Sequence, residues 1–363
     1  MPYKKYSLPS YPVTCDVWDR LKSETRPIVV YGMGNGADKL FRRFSKYGIC
    51  PKDVFASDGF VRGHSYRGIR VKSFSEIKEM YPDFVIAVSF ATKREEVISL
   101  LSSLDEKYDL YLPDMPVAES EVYFDRAFYN ENYQKIKEAY ELFEDEDSKN
   151  CYAAAINYKL TGKISYLLSA YSSVGEMYSL FDEKRIKSAI DVGAYNGDTV
   201  KEINTYFPNL ESVIAIEPDT KNFKKLSKYA EELGEGKVTA INAAAHGSCG
   251  EGELFESGNR NSSISSSASY EHKSRSVKLI TVDSLGIAAD YVKYDVEGNE
   301  YEALLGSDTT IKESSPELLI SLYHKSRDIF SLPIMIKERY PNRKMLLRRG
   351  RCLPAWEINL IVK

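Results

Sequence analysis

Asp191-Val-Gly193-Ala-Tyr-Asn196-Gly197-Asp198-Thr199 joins an acidic residue, two glycines and a polar exit within nine positions. The apolar run before it, Ala189–Val192, reads as a buried strand. The glycines read as a tight turn, and Asp198 opens a helix. Glycines let a backbone pass close to a ligand without a Cβ clash. Asp198 and Thr199 suit a first helical turn, where free N–H groups meet acids and hydroxyls. A second acid, Glu217, follows Gly197 by twenty residues and precedes Pro218 at the end of the apolar run Val213–Ile216. Strand, glycine turn, helix, strand and acid describe a nucleotide-type cofactor site, with Glu217 placed to accept two ribose hydroxyls. Asp191 would repel a pyrophosphate. It suits S-adenosylmethionine, which carries an ammonium and a sulfonium and no phosphate; Asp191 would orient the loop or receive that ammonium. Asn242, at the end of the next strand, joins the expected cofactor set.

Methyl transfer to a hydroxyl also needs a group that holds the hydroxyl and takes its proton. Asp295 and Glu297 lie at the end of the strand Tyr291–Asp295, and Glu300 follows in the first turn of the next helix. His324 ends the strand Leu318–Tyr323, with Asp328 four residues on to orient its ring. His324 is expected as general base, with Asp295 and Glu297 facing the acceptor. The alternatives are helix capping for Glu297 and Glu300 and an ordinary hydrogen-bonded ring for His324. The carboxylates leave a divalent metal open, with no ligand spacing to support it. Arg260, Ser262 and Ser263 sit in a Gly-, Ser- and Asn-rich stretch that reads as a substrate loop or as a solvent loop.

A second glycine turn, Gly32-x-Gly34-x-Gly36-Ala37, follows the strand Ile28–Tyr31, and Asp58 stands 22 residues after Gly36. This is the G-x-G-x-x-G/A pattern of dinucleotide sites. With no reducible-substrate site nearby, it reads as a second nucleotide site, for instance for a nucleotide-linked sugar, or as a turn that binds nothing.

These residues need two α/β units. The expected fold class is α/β: a small Rossmann-like domain at 25–115 after an extension at 1–24, a helical connector or cap at 116–184, and a larger domain at 185–363. The larger domain should hold a mostly parallel sheet with strands 189–192, 213–217, 238–242, 277–282, 291–295 and 318–323. An antiparallel pair, 344–348 with 356–362, should close it. The Gly247–Arg275 stretch should hold a hairpin.

Four segments together resemble the FkbM-type methyltransferase family: Asp191–Gly197, Ile216-Glu-Pro218, Val282-Asp-Ser-Leu285 and Val292-Lys-Tyr-Asp-Val-Glu-Gly-Asn-Glu300. The resemblance covers about residues 185–363. It implies a class I, Rossmann-like fold and S-adenosylmethionine-dependent O-methylation, often of sugars, glycans or polyketides, with Asp191, Gly193 and Glu217 as cofactor contacts. The small first domain resembles nucleotide-sugar-binding domains. Two other functions remain open on the residues: a nucleotide-sugar or NAD enzyme working from the first glycine turn, and a binding protein that keeps only the fold.

The chain has 363 residues and a formal net charge of −4, from 49 basic and 53 acidic residues. That balance argues against a nucleic-acid surface. Five scattered cysteines at no metal spacing read as free thiols, and no leader or membrane span is visible, so a cytoplasmic protein is expected. The expected partner is a small-molecule or sugar acceptor, and a homodimer is open.

Overall fold

The computed structural model describes residues 4–118, 122–256, 262–263 and 274–363. The first unit is a five-stranded parallel sheet in the order Lys72–Ser73, Asp53–Ala56, Ile28–Tyr31, Val85–Val88, Asp109–Tyr111. The three central strands are buried along their whole length, which is why they read as unbroken apolar runs. Lys72–Ser73 and Asp109–Tyr111 are too short and too polar at their ends to announce themselves. The short helix Val17–Ser23, in the expected extension, packs Val17, Trp18 and Leu21 into this unit's core.

The connector is helical, as expected. Its longest members are Arg126–Glu141 and Glu146–Thr161. The second of these is buried on nearly every face, so its apolar residues show no helical stripe. Asp145, in the acidic run before it, caps the helix through Ser148 N–H at 2.7 Å. Its carboxylate also pairs with Arg348 at 2.7 Å.

The second unit has seven strands in the order Val238–Ile241, Ser212–Ile216, Ser188–Val192, Tyr291–Tyr294, Glu317–Ser321, Ile358–Val362, Met345–Arg349. The first five run parallel, and Ile358–Val362 pairs antiparallel with both of its neighbours. One expected member is elsewhere. Ser274–Ile280 lies in a separate four-stranded sheet, because it pairs antiparallel with Gly250–Glu256 and so forms the expected hairpin. Chain order reverses between Ser188–Val192 and Tyr291–Tyr294. That switch point opens a crevice at the strands' carboxyl ends, where Gly193 and Asp295 meet.

One apolar cluster runs from Val29 in the first sheet through Tyr152 in the connector to Val362 in the second, and the other face of each sheet packs a cluster of its own. Thr92 and Leu353 exchange backbone hydrogen bonds of 2.7 and 3.0 Å, which ties a loop of the first unit to the hairpin loop that ends the second. Among the described residues, no helix is long and apolar enough to cross a membrane. All five cysteines are free.

Candidate active site

Gly193 leaves its strand at φ +91°, and a Cβ there would lie 1.9 Å from the Asp295 carbonyl oxygen. The position needs glycine both for its dihedral and for that close approach. The N–H groups of Gly193 and Ala194 both donate to Ile216 O, at 2.9 and 3.0 Å. This folds the turn across the next strand and brings it to Glu217. The Glu217 carboxylate accepts from Tyr195 N at 2.9 Å and from Asp219 N at 2.8 Å, one bond on each oxygen. Burial pushes its carboxyl up to about 7. Each oxygen keeps a lone pair for a further donor.

Asp191 is fully buried. One of its oxygens accepts from the Thr199 hydroxyl, and the other lies 3.8 Å from Lys293 Nζ without a hydrogen bond. It ties the strand end to the helix Asp198–Tyr206 and does not line the cavity; its geometry is that of a loop anchor. Gly193, Asp198, Thr199, Glu217 and Pro218 line a cavity of about 370 Å³. Gly197 faces Tyr229 instead, and Asn196 accepts from Asp198 N–H. Asn242 lies behind the wall, donating to the carbonyls of Glu217 and Pro218 at 2.8 and 3.1 Å.

The same cavity reaches Asp295, Glu297 and His324. Nε2 of His324 lies 3.5 Å from Asp295 Oδ1 and 3.5 Å from Glu297 Oε2, while Nδ1 is 2.8 Å from Glu300 Oε1. The carboxylate behind the ring is therefore Glu300. Asp328, expected in that place, accepts from Lys325 N–H at 2.9 Å. Burial opposes a charge on the ring, but the three carboxylates outweigh it and carry the imidazole up to about 10. A ring already protonated cannot take a hydroxyl's proton. The carboxylates beside it can, and burial lifts Glu297 to about 7. The opposite sign at Asp295, below its ordinary value despite burial, comes from Lys293 and His324.

Sequence reasoning missed several wall residues. Lys293 is buried between Asp191 and Asp295, with Nζ 3.2 Å from Asp295 Oδ2. A lysine in the buried strand Tyr291–Tyr294, two residues before Asp295 and so on the same face, was the available signal. Lys93, Trp356 and Glu357 gave none. They meet only because Thr92 pairs with Leu353, which brings Lys93 Nζ to 2.7 Å from Glu357 Oε1. The first unit thus supplies part of this cavity's wall.

Of the expected substrate loop, Arg260 lies outside the described residues. The backbone of Ser262 and Ser263 forms a short strand against Phe255 and Glu256. At the first glycine turn, Gly32 has φ +107°, and a Cβ there would meet the Phe90 ring and Ser89 Oγ at 2.8 Å. Gly34 caps the helix Asn35–Tyr47, and Gly36 packs against Ser89 O, 2.0 Å from where its Cβ would be. Asp58 accepts from Ser75 Oγ at 2.7 Å, which holds its carboxyl below the usual range. Gly32 and Gly36 thus pack on the Ser89–Phe90 segment, whereas Gly34 and Asp58 are exposed. From the same helix, Lys39 donates to the carbonyls of Pro116 and Val117, and Val117 lines the cavity of the second unit.

Residues 191–337 match the family model of the methyltransferase FkbM domain. Over that stretch the chain is similar to FkbM methyltransferase domains. Its fold is similar over nearly its whole length to the crystal structure of methyltransferase FkbM from Methylobacillus flagellatus KT: TM-score 0.71, 17% identity, 99% of this chain and 94% of that one. The likeness in fold therefore includes the N-terminal unit as well as the residues the family model matches. Smaller overlaps, each covering 52% of this chain, occur with two further structures. One is a precorrin-6y C5,15-methyltransferase from Geobacter metallireducens GS-15 (TM-score 0.33, 10% identity, 84% of that chain). The other is an rRNA methylase from Streptococcus thermophilus (TM-score 0.32, 10% identity, 92% of that chain). No curated protein matches.

Proposed function

We propose that this protein transfers the methyl group of S-adenosylmethionine to a hydroxyl of a sugar, a glycan precursor or a related small molecule. The observation that carries the reading is one continuous cavity lined both by Gly193 and Glu217 and by Asp295, Glu297 and His324. The residues fit such a donor. Glu217 offers two half-used carboxylate oxygens to vicinal hydroxyls. The lysines that line the cavity are already paired, Lys293 with Asp295 and Lys93 with Glu357, so neither invites a pyrophosphate. The donor supplies an electrophilic methyl group. Glu217 holds its ribose, the Gly193 turn lets its backbone approach, and Asp191 keeps that turn in place.

Beside them, Asp295, Glu297 and His324 hold the acceptor hydroxyl, and the carboxylate of Glu297 takes its proton. Trp356, Glu357 and Lys93 offer an aromatic face and polar groups suited to a hydroxyl-rich molecule. The test is transfer of labelled methyl from S-adenosylmethionine to a panel of sugars and nucleotide sugars. Transfer is expected for the wild type and a loss of about a hundredfold or more for Glu297→Gln. No transfer to any acceptor by a protein that binds S-adenosylhomocysteine would replace this reading with that of a binding protein.

A further inference from the structure

We propose that Asp295, Glu297 and His324 hold a divalent metal cation in the cavity, with Glu300 orienting the imidazole from behind. The distances are too long for hydrogen bonds and come close to the separation of two ligands on one ion. His324 Nε2 stands 3.5 Å from one oxygen of each carboxylate. Hydrogen bonds of this kind run about 2.7–3.2 Å. Two ligand atoms each about 2.1 Å from one ion lie roughly 3.0–3.4 Å apart. The ring is 1% exposed. Glu297 Oε2 is a buried oxygen with no hydrogen-bond partner, although it points toward the ring.

The surroundings agree with the assignment. Asp295, Glu300 and His324 each bring a ligand atom within 4.8 Å of the other two, and Glu297 Oε2 approaches the same His324 Nε2 that Asp295 faces. Glu300 Oε1 is already engaged by the N–H groups of Val296 and Gly298 and sits on Nδ1, the far side of the ring. A carboxylate in that place fixes a ligating imidazole with its other nitrogen forward. Lys293 takes Asp295 Oδ2 and leaves Oδ1 for the ion. Glu297 adopts φ +53°, a left-handed conformation uncommon for a non-glycine residue and characteristic of functional turns.

Four carboxylates, Asp191, Asp295, Glu297 and Glu300, converge around Lys293 and the ring, and a divalent ion offsets that excess of negative charge. One imidazole and two carboxylates suit manganese or another first-row metal better than calcium. Bound there, such an ion favours the ionised form of a hydroxyl that coordinates it. That consequence rests on the methyltransferase reading, whereas binding of the ion does not.

The experiment is Mn2+ binding to the chelator-treated full chain, read by calorimetry and by pulsed electron paramagnetic resonance. The wild type should bind one ion and show coupling to one imidazole nitrogen. Asp295→Asn and Glu297→Gln should weaken binding by at least about tenfold. His324→Ala should abolish the nitrogen coupling, and His64→Gln, in the first unit, should change nothing. The proposal is overturned by no binding, by bound Mn2+ without nitrogen coupling, or by full affinity in the carboxylate variants. The wild-type nitrogen signal decides the matter even if a variant fails to fold. Calorimetry with S-adenosylhomocysteine on the same samples separates the two readings. Donor binding without Mn2+ removes the ion alone, and Mn2+ binding without the donor removes the methyltransferase reading alone.

Discussion

On the proposed reading Gly193 and Glu217 bind the donor, and each makes a distinct prediction. Gly193→Ala places a methyl group 1.9 Å from a backbone oxygen at a dihedral that alanine avoids. It should lose about 2 kcal/mol or more of stability, read as a lower thermal midpoint, and bind S-adenosylhomocysteine poorly. Glu217 has a carboxyl near 7, raised by burial, and only its ionised form accepts two hydroxyls fully. Donor binding should therefore release a proton, and affinity should rise with pH through 7. Calorimetry should find S-adenosylhomocysteine bound about tenfold more weakly at pH 6 than at pH 8. The placement of both residues was legible in the sequence because it depends on local spacing: a glycine after a buried strand, and an acid at the next strand's end. The partner of His324 was not. The i,i+4 spacing pointed to Asp328, but the loop Asp295–Glu300 turns back through Glu297 and Gly298 and delivers Glu300 to the ring. Such a turn depends on positive φ at both residues, and a glutamate does not advertise it.

At the scale of elements, the first unit and the segment after it supply Lys93 and Val117 to the cavity wall. The helix Glu146–Thr161 is anchored by Lys159, whose ammonium lies 2.7 Å from Asp114 with both side chains about 5% exposed. Lys159→Ala would leave a buried carboxylate unpaired, at a cost of about 3 kcal/mol in chemical denaturation. The loop after Val85–Val88 brings Lys93 to Glu357 at the cavity wall. Lys93→Ala should raise the acceptor KM and leave S-adenosylhomocysteine affinity unchanged. Equal loss of both would show that the loop supports the whole cavity instead. The parallel strands and long helices were readable from apolar runs and capping residues. The contact between Thr92 and Leu353 was not, because pairing between distant loops leaves no periodicity in either.

For the whole molecule, one apolar cluster is shared by both sheets and the connector. The chain should therefore unfold in one calorimetric transition, and a bound donor analogue should shift that whole transition upward. Two separable transitions would show that the units are independent. Shared architecture also changes the meaning of the first glycine turn. Its motif was clear in the sequence, yet Gly36 packs on Ser89 and Lys39 braces the segment above the second unit's cavity. A glycine pattern reports a close approach of backbone, and in this turn the approaching group is protein.

The most direct test of the account is calorimetry of S-adenosylhomocysteine with the wild type and with Glu217→Ala. The account predicts one site per chain, weakened roughly tenfold to a hundredfold in the variant as charged hydrogen bonds to the ribose are lost. No binding by the wild type, or equal affinity in the variant, would contradict it.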